Sequence, residues 1–379
     1  DLFNSFLKKR RVPDAMNAAI LRLLPKTDQG LTDLDKTRPI ALMETLGKLY
    51  ERVMITRLTS TIEKHSLLET SQYGAVSGGG CTAPLKVLND VMDDARVSGQ
   101  ELHVVALDLK KAFDTCEFWS QAMSLKAIGL PDEAVKLLVD LDAGSNSPAD
   151  PREGPGATTK VILGAGRMSP AFSHGRGVRQ GSVGGPIKWV IFMNFWLKWI
   201  NKTMKGKGYR MAGDWKTEMI AQMFVDDSIW TCKDAASAQE LIRRVELFCD
   251  FHSIIINREK SEYISMNDPG TQVRWTPPRT VEERKGQGHL GKVFERKGAT
   301  GSVTSKLKSG ETDGRVTKYL GVLFEARKGW KAQTRALQEK HGKLIANLKF
   351  ARISVEQAVY AINTKIIPAM EYPLQVAAV

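Results

Sequence analysis

The stretch MFVDDSIW at residues 223–230 sets two aspartates side by side between apolar runs. Neighbouring carboxylates repel, and burying either is costly unless something positive compensates. The plain reading is a hairpin turn with its tip in water, where Asp is an ordinary turn residue; the other is a site in which something positive compensates the pair, and the rest of the chain decides between them. A second acidic position tightens the constraint. ELHVVALDL (101–109) is short, β-branched and apolar with no helical period, which reads as a strand with Asp108 near its end. If the two strands are neighbours in one sheet, Asp108, Asp226 and Asp227 converge at one edge.

Such a convergence is tolerable when divalent cations sit between the charges. Two hard cations about 3.5–4 Å apart, held by shared carboxylates and substrate phosphates, are a common arrangement for nucleotidyl transfer. One would lower the pKa of an attacking 3′-hydroxyl, and the other would hold the triphosphate and stabilise the leaving pyrophosphate.

Charge points the same way. The 379 residues carry a net charge of +13, and the sequence pI is about 9.5. A surplus of this size favours polyanionic partners, nucleic acid foremost. The length allows two or three subdomains. Cys81, Cys116, Cys232 and Cys249 form no C-x-x-C pair and lie at no zinc spacing from a histidine, so they read as reduced, mostly buried thiols of an intracellular protein. The apolar run WVIFMNFWL (189–197) lies between Lys188 and Lys198 and falls short of the about 20 residues that span a bilayer, which leaves a buried core helix. The chain opens on Asp rather than Met, as a fragment of a longer protein would.

Periodicity predicts amphipathic helices over 44–66, with Leu46, Leu49, Val53, Leu58 and Ile62 on the apolar side, and through Leu85, Val87, Leu88 and Val91 after the glycine-rich SGGGCTAP (77–84). Further helices are expected over 133–141, from Pro186 onward, and over 236–252. SIIIN (253–257) reads as a strand, as does RVTKYLGVLF (315–324), and 330–366 as two or three basic helices. Residues 142–175, rich in Gly, Pro and Ser, are expected to form loops or a weak hairpin. The cluster KKRR (8–11) reads as a solvated charge run. Segment 274–318 holds eleven Lys or Arg against five Asp or Glu, with seven glycines, the composition of a flexible basic insertion.

ALDLKKAFD (106–114), RQGSVGGP (179–186), FVDD (224–227), NREKS (257–261) and KYLG (318–321) occur in this order, preceded by LLPK (23–26) and RPIAL (38–42). The ordered set resembles the fingers and palm motifs of reverse transcriptases, specifically those of non-LTR (LINE-like) retrotransposons, over residues 20 to 375 or so. The resemblance implies an α+β right-hand polymerase fold with an antiparallel palm sheet backed by helices. Fingers would occupy 1–100 and 145–185, palm 101–144 and 186–325 with the basic insertion at 268–317, and a helical thumb 326–379. It implies RNA-directed DNA synthesis from an RNA template, a DNA primer and dNTPs, with two Mg²⁺ ions for which Mn²⁺ could substitute.

Carried over residue by residue, Asp108 and Asp226 would be metal ligands, Asp227 would support them, and the Leu109 carbonyl could add an oxygen. Phe113 would lie under the incoming sugar and leave no space for a 2′-hydroxyl. Lys110, Lys111 and Ala112 of the same motif would lie beside the nucleotide. Lys26 and Arg38 would clamp the triphosphate. Gln180 and Gly181 would line the nascent base pair, and Lys260 would protonate pyrophosphate. Tyr319, Leu320 and Gly321 would grip the primer. The chain departs from the pattern at Ala75 and Gly80 and at Gly184-Gly185-Pro186, where Leu-Ser-Pro is more usual; the extra glycine suggests a more flexible loop. Viral RNA-dependent RNA polymerases share the paired aspartates, but Phe113 and Val225 argue against them. Telomerase-type enzymes and group II intron maturases are nearer relatives, and a catalytically silent RNA-binding palm is a reading of another class. No endonuclease or RNase H carboxylate set is evident, so target cleavage would come from outside this chain. No membrane partner is expected, and a eukaryotic retroelement would place the protein in the nucleus.

Overall fold

The computed structural model describes the chain except residues 10–11, 27–35, 77, 144–157, 164–165, 215–216, 269–272, 276–307, 310–315, 327–328 and 378–379. In chain order come α1 (Leu2–Lys9), β1 (Ala19–Pro25), β2 (Thr37–Met43), α2 (Thr45–Lys64), α3 (Thr82–Ser98), β3 (Leu102–Leu107), β4 (Leu109–Lys110), α4 (Ala112–Thr115), α5 (Phe118–Ala127) and α6 (Asp132–Ala143). They are followed by β5 (Thr158–Val161), β6 (Phe172–Ser173), α7 (Gly185–Thr203), β7 (Ala221–Phe224), β8 (Asp227–Cys232), α8 (Ala235–Phe251), β9 (Ile255–Ile256), β10 (Glu262–Met266), β11 (Lys308–Ser309), β12 (Val316–Tyr319) and β13 (Val322–Glu325). Three helical stretches close the chain: Lys331–Phe350, Val355–Ala361 and, after a π-helical turn at Ile362–Ile366, Ile367–Leu374. Most of the basic insertion lies outside the described residues, as do Arg10 and Arg11 of the KKRR cluster.

The elements group into two compact units, each assembled from three separate stretches of chain. The first takes residues 1–77, 109–199 and 248–255. Its sheet has the order β2-β1-β5-β6, with β1 and β2 antiparallel from Ala19↔Met43 to Pro25↔Thr37. Its main core joins Phe6 of α1, Tyr50, Ile55, Leu58 and Ile62 of α2, Leu125 of α5, Leu138 of α6 and Val190 of α7. Leu46 and Leu49, placed on the apolar side of α2 by periodicity, are half exposed, because the face that packs runs through Tyr50, Glu51, Ile55, Leu58 and Ile62. That face includes a fully buried carboxylate.

A second packing centre in this unit surrounds His252, whose ring lies 4.2 Å from Phe248 and 5.1 Å from Trp119, with Phe192 at 5.3 Å. His252 Nδ1 is 2.9 Å from the Ser120 hydroxyl. Burial among these rings disfavours the imidazolium and pushes the His252 pKa down to about 4. In the unfolded chain the group titrates near 6.5, so between those values the unfolded state binds the extra proton. Stability is therefore complete above the unfolded pKa and is lost as pH falls towards 4. Unfolding by urea at pH 7 and pH 5 should show a loss of about 2 kcal/mol from this group alone, and His252→Gln should flatten the dependence. An equal loss in that variant would refute the assignment.

The second unit takes residues 78–108, 200–247 and 256–379. Its sheet has the order β11-β10-β3-β8-β7, antiparallel at β10–β3, β3–β8 and β8–β7, with the two-residue β11 joining the edge in parallel. Leu85, Leu88, Val91 and Met92 of α3 share one core with Leu102 and Val104 of β3, Ile229 of β8, Ile264 of β10 and Tyr319, Val322 and Phe324. RVTKYLGVLF, read as one strand, is two: β12 and β13 pair antiparallel as a hairpin. Leu320 and Gly321 break the run at φ 45° and 84°, the positive values a two-residue hairpin turn needs.

Among the described residues no helix is long and apolar enough to cross a membrane. All four cysteines are free; Cys116, Cys232 and Cys249 are buried and Cys81 is partly so.

Candidate active site

The strand that ends before Asp108 lies beside the aspartate hairpin. β3 runs antiparallel to β8, with Leu107 opposite Ser228. One step further, the register sets Asp108 across from Asp227. β7 pairs with β8 as far as Phe224↔Asp227, which leaves Val225 and Asp226 as the turn. Val225 adopts φ 60°, a conformation that costs a β-branched side chain of order 1–3 kcal/mol and persists only where the surroundings enforce it.

Both Asp226 and Asp227 are exposed and Asp108 is partly so. Although Asp227 as a residue meets water, partial burial of its carboxyl, then the like charges of Asp226 and Asp108, push its pKa up to about 6, opposed by Lys318. The three carboxylates thus feel one another, and among the described residues Lys318 is the cation that offsets Asp227.

Asp108 is held by the NREKS segment. The Asn257 side-chain amide donates to Asp108 Oδ2 at 2.6 Å, and the Asn257 N–H donates to the Asp108 carbonyl at 2.8 Å. The Asp108 N–H donates to the Ser261 hydroxyl at 3.2 Å, which in turn donates to the Asn257 carbonyl at 2.9 Å. Asn257 and Ser261 had no role assigned from sequence, although they bracket Lys260 in a quoted motif. Lys260 is exposed in the turn they close, its N–H bonded to the Asn257 carbonyl at 3.1 Å.

Of the three residues expected at the primer, Tyr319 is buried in the core of its unit, so its ring serves packing. Leu320 and Gly321 remain at the surface turn. The Tyr372 hydroxyl, from the last helix, donates to the Leu320 carbonyl at 2.8 Å and fixes that turn.

The first unit holds the other motif residues. Lys26 and Arg38 are exposed at the paired ends of β1 and β2: Arg38 stands opposite Leu24, and the Lys26 N–H reaches the Lys36 carbonyl at 2.8 Å. Leu109 and Ala112 are buried, and Lys110 and Lys111 are exposed, Lys111 at φ 52°. Phe113 is half-buried and stacked on Trp189, with ring centroids 5.4 Å apart and planes at 25°. Gln180 Nε2 donates to Asp114 Oδ1 at 3.5 Å. Burial raises the Asp114 pKa, while Lys111, Lys26 and Gln180 pull it down. Asp114, the last residue of ALDLKKAFD, therefore accepts from Gln180 and feels the charges of Lys111 and Lys26.

The RQGSVGGP loop rests on buried charge. Lys188, Asp142 and Glu51 are essentially inaccessible, and Arg179 nearly so. Lys188 Nζ bonds Asp142 Oδ2 and lies 3.5 Å from Glu51 Oε1. Burial pulls the Lys188 pKa down, but Asp142 and Glu51 outweigh it and hold the ammonium above its ordinary range. The Gly184-Gly185 pair of this loop is closely packed. A Cβ on Gly184 would lie 2.7 Å from Ile55 Cδ1 and 2.9 Å from Glu51 Oε1, so the glycine permits close packing against α2.

A family model described as "Reverse transcriptase (RNA-dependent DNA polymerase)" matches residues 24–324. The chain belongs to the reverse transcriptase family. It is similar to the Retrovirus-related Pol polyprotein from type-1 retrotransposable element R2 of Popillia japonica, 26% identical over 264 residues, 70% of this chain and 34% of that protein. It is also similar to the polyprotein from type-2 retrotransposable element R2DM of Drosophila melanogaster, 22% identical over 379 residues, 100% of this chain and 31% of that protein. The RNA-directed DNA polymerase from mobile element jockey of the same fly is 29% identical over 193 residues, 50% of this chain and 19% of that protein. These relatives are non-LTR retrotransposon polymerases, the group that the motif order resembles. The chain spans about a third or less of their length.

Reverse transcriptases use divalent metals. Three carboxylates on adjoining strand ends are hard oxygen donors of the kind Mg²⁺ and Mn²⁺ prefer, and the repulsion that adds to burial in raising Asp227 is what a bound cation would relieve. Their chemistry fits the group. Among the described residues, no set of three or more His, Cys, Asp or Glu is placed closely enough to hold a metal ion as it stands.

Proposed function

We propose that this reverse transcriptase chain adds deoxynucleotides to a DNA primer 3′-hydroxyl, copying an RNA template. The observation that carries the reading is the β3–β8 pairing, which brings Asp108 to the Asp226–Asp227 hairpin within one sheet. Asp108, Asp226, Asp227 and the Leu109 carbonyl would hold two Mg²⁺ ions, or Mn²⁺ in their place. Bound there, the ions would supply Lewis-acid polarisation of the primer hydroxyl and of the triphosphate.

The chain's own groups do the rest. Asn257 and Ser261 fix the rotamer and backbone of Asp108. Lys260, exposed beside them, delivers a proton to the departing pyrophosphate. Lys26 and Arg38 bind the triphosphate, with Lys110 and Lys111 adding positive charge and Ala112 leaving space. Phe113, held by Trp189, blocks a 2′-hydroxyl. Gln180 and Gly181 line the new base pair, and the Leu320–Gly321 turn, fixed by Tyr372, meets the primer. The fingers, palm and thumb divisions given above, a nuclear setting, and an endonuclease supplied by other sequence complete the proposal. The surplus of +13 suits phosphate neutralisation, which makes binding strongly salt-dependent.

Primer extension on an RNA template with Mg²⁺ tests the reading. Wild type should incorporate dNTPs well in excess of rNTPs, and Phe113→Val should raise rNTP use by about tenfold or more relative to dNTP. A wild type that takes both sugars equally would overturn the role of Phe113, and one that incorporates neither would overturn the function.

A further inference from the structure

Four charged side chains, from four separate parts of the first unit, meet out of water: Glu51 on α2, Asp142 on α6, Arg179 in the RQGSVGGP loop and Lys188 on α7. None has a place in the proposed chemistry. Charges at this depth are costly unless each is paired and hydrogen-bonded, and here the two anions and two cations balance.

Their hydrogen bonds run mostly to one loop. Glu51 accepts from the Ser182 hydroxyl through Oε1, and from the Val183 N–H at 2.9 Å through Oε2. Asp142 Oδ1 accepts from the Arg179 N–H at 3.5 Å. Arg179 Nη1 donates to the Asn17 carbonyl at 2.6 Å, and Nη2 to the Asp142 carbonyl at 3.3 Å. Residues 179, 182 and 183 are thereby fixed on both sides of Gln180 and Gly181. Between those anchors the turn is pressed on β2. The Ala41 N–H donates to the Gln180 carbonyl at 2.6 Å, and a Cβ on Gly181, whose φ is 111°, would lie 2.5 Å from the Ala41 carbonyl oxygen.

We propose that the Glu51–Lys188–Asp142–Arg179 cluster is the device that fixes the Gln180–Gly181 turn, which makes Glu51 and Lys188 positioning residues for nucleotide selection although neither reaches the surface. This rests on the reading of Gln180 and Gly181 as lining the nascent base pair. Glu51 is the keystone because one carboxylate serves the Ser182 hydroxyl, the Val183 N–H and Lys188. Glutamine in its place keeps the shape, but one of its two heads becomes a donor facing a donor, and the cluster is left with excess positive charge.

The test uses Glu51→Gln and the milder Ser182→Ala, which removes one hydrogen bond and no charge. Hydrogen exchange on the free chain should show the 178–185 segment exchanging about tenfold faster in Glu51→Gln and less so in Ser182→Ala, with β3 and β8 unchanged. In single-nucleotide extension, KM for the correct dNTP should rise roughly fivefold and discrimination against the wrong dNTP should fall by a similar factor, while kcat at saturation changes little. Unchanged exchange in both variants overturns the clamp. A loosened loop with unaltered KM and discrimination overturns its role in selection while leaving the polymerase reading intact. If Glu51→Gln does not fold, Ser182→Ala decides alone on the same two readouts. A wild type without incorporation sinks the underlying function and the selection role with it, whereas the exchange result still judges the clamp.

Discussion

Asp226→Asn is expected to lower the rate of nucleotide addition by at least about 10³-fold, while the unfolding midpoint stays level or rises. Both halves follow from the hairpin. Asp226 occupies a two-residue turn beside Asp227, whose neighbour on the next strand is Asp108, and it adds to burial in raising Asp227. Removing one negative charge relieves that repulsion, so the fold does not suffer. The same change takes away an oxygen donor from the place where cations are proposed to bind, and the carboxamide that replaces it is a neutral, weaker ligand. Single-turnover extension and thermal unfolding of the same preparation separate the two effects. A variant that still extends primers within tenfold of wild type would remove Asp226 from the chemistry.

Lys188→Met should be the most damaging single change away from the carboxylates. It leaves Glu51 and Asp142 buried with only Arg179 to compensate, a loss of about 3–5 kcal/mol for a broken buried pair. The paired replacement Lys188→Met with Asp142→Leu removes both partners of the short contact, and much of that loss should return, because two desolvated charges disappear together. Urea unfolding of wild type and both variants measures the difference. If the double variant is no more stable than the single one, the Lys188–Asp142 pair is not the source of the penalty.

Much of the second unit was legible in its residues. An apolar, β-branched run predicts β3, and two apolar runs around paired aspartates predict the β7–β8 hairpin, because period and polarity are local properties. The helices over 45–64, 132–143, 185–203 and 235–251 follow from the same kind of signal. What escaped depends on partners distant in sequence. β1 and β2 pass unnoticed as strands because Pro25 ends the one and Pro39 lies inside the other. β12 and β13 merge into one strand until the positive φ of Leu320 and Gly321 is seen.

The site divides similarly. The aspartates announce themselves by their cost. Asn257 does not, because an asparagine after an isoleucine run has many uses, and only the fold brings its amide to Asp108. Glu51 sits on the buried side of a helix whose apolar period points elsewhere, and nothing short of its three partners explains a carboxylate there. Gly184 shows the reverse error: a glycine read as freedom turns out to be a contact.

Because each compact unit is stitched from three stretches of sequence, no single cut isolates either of them. A ribosome must deliver residue 255 before the first can close, and by then it has already made β3, β7 and β8 of the second. Such interleaving raises the mean sequence separation of native contacts and slows the search for them. Trimming the gene at a convenient loop would give a polypeptide that exposes half-built interiors, so expression work on this protein should begin from the whole span.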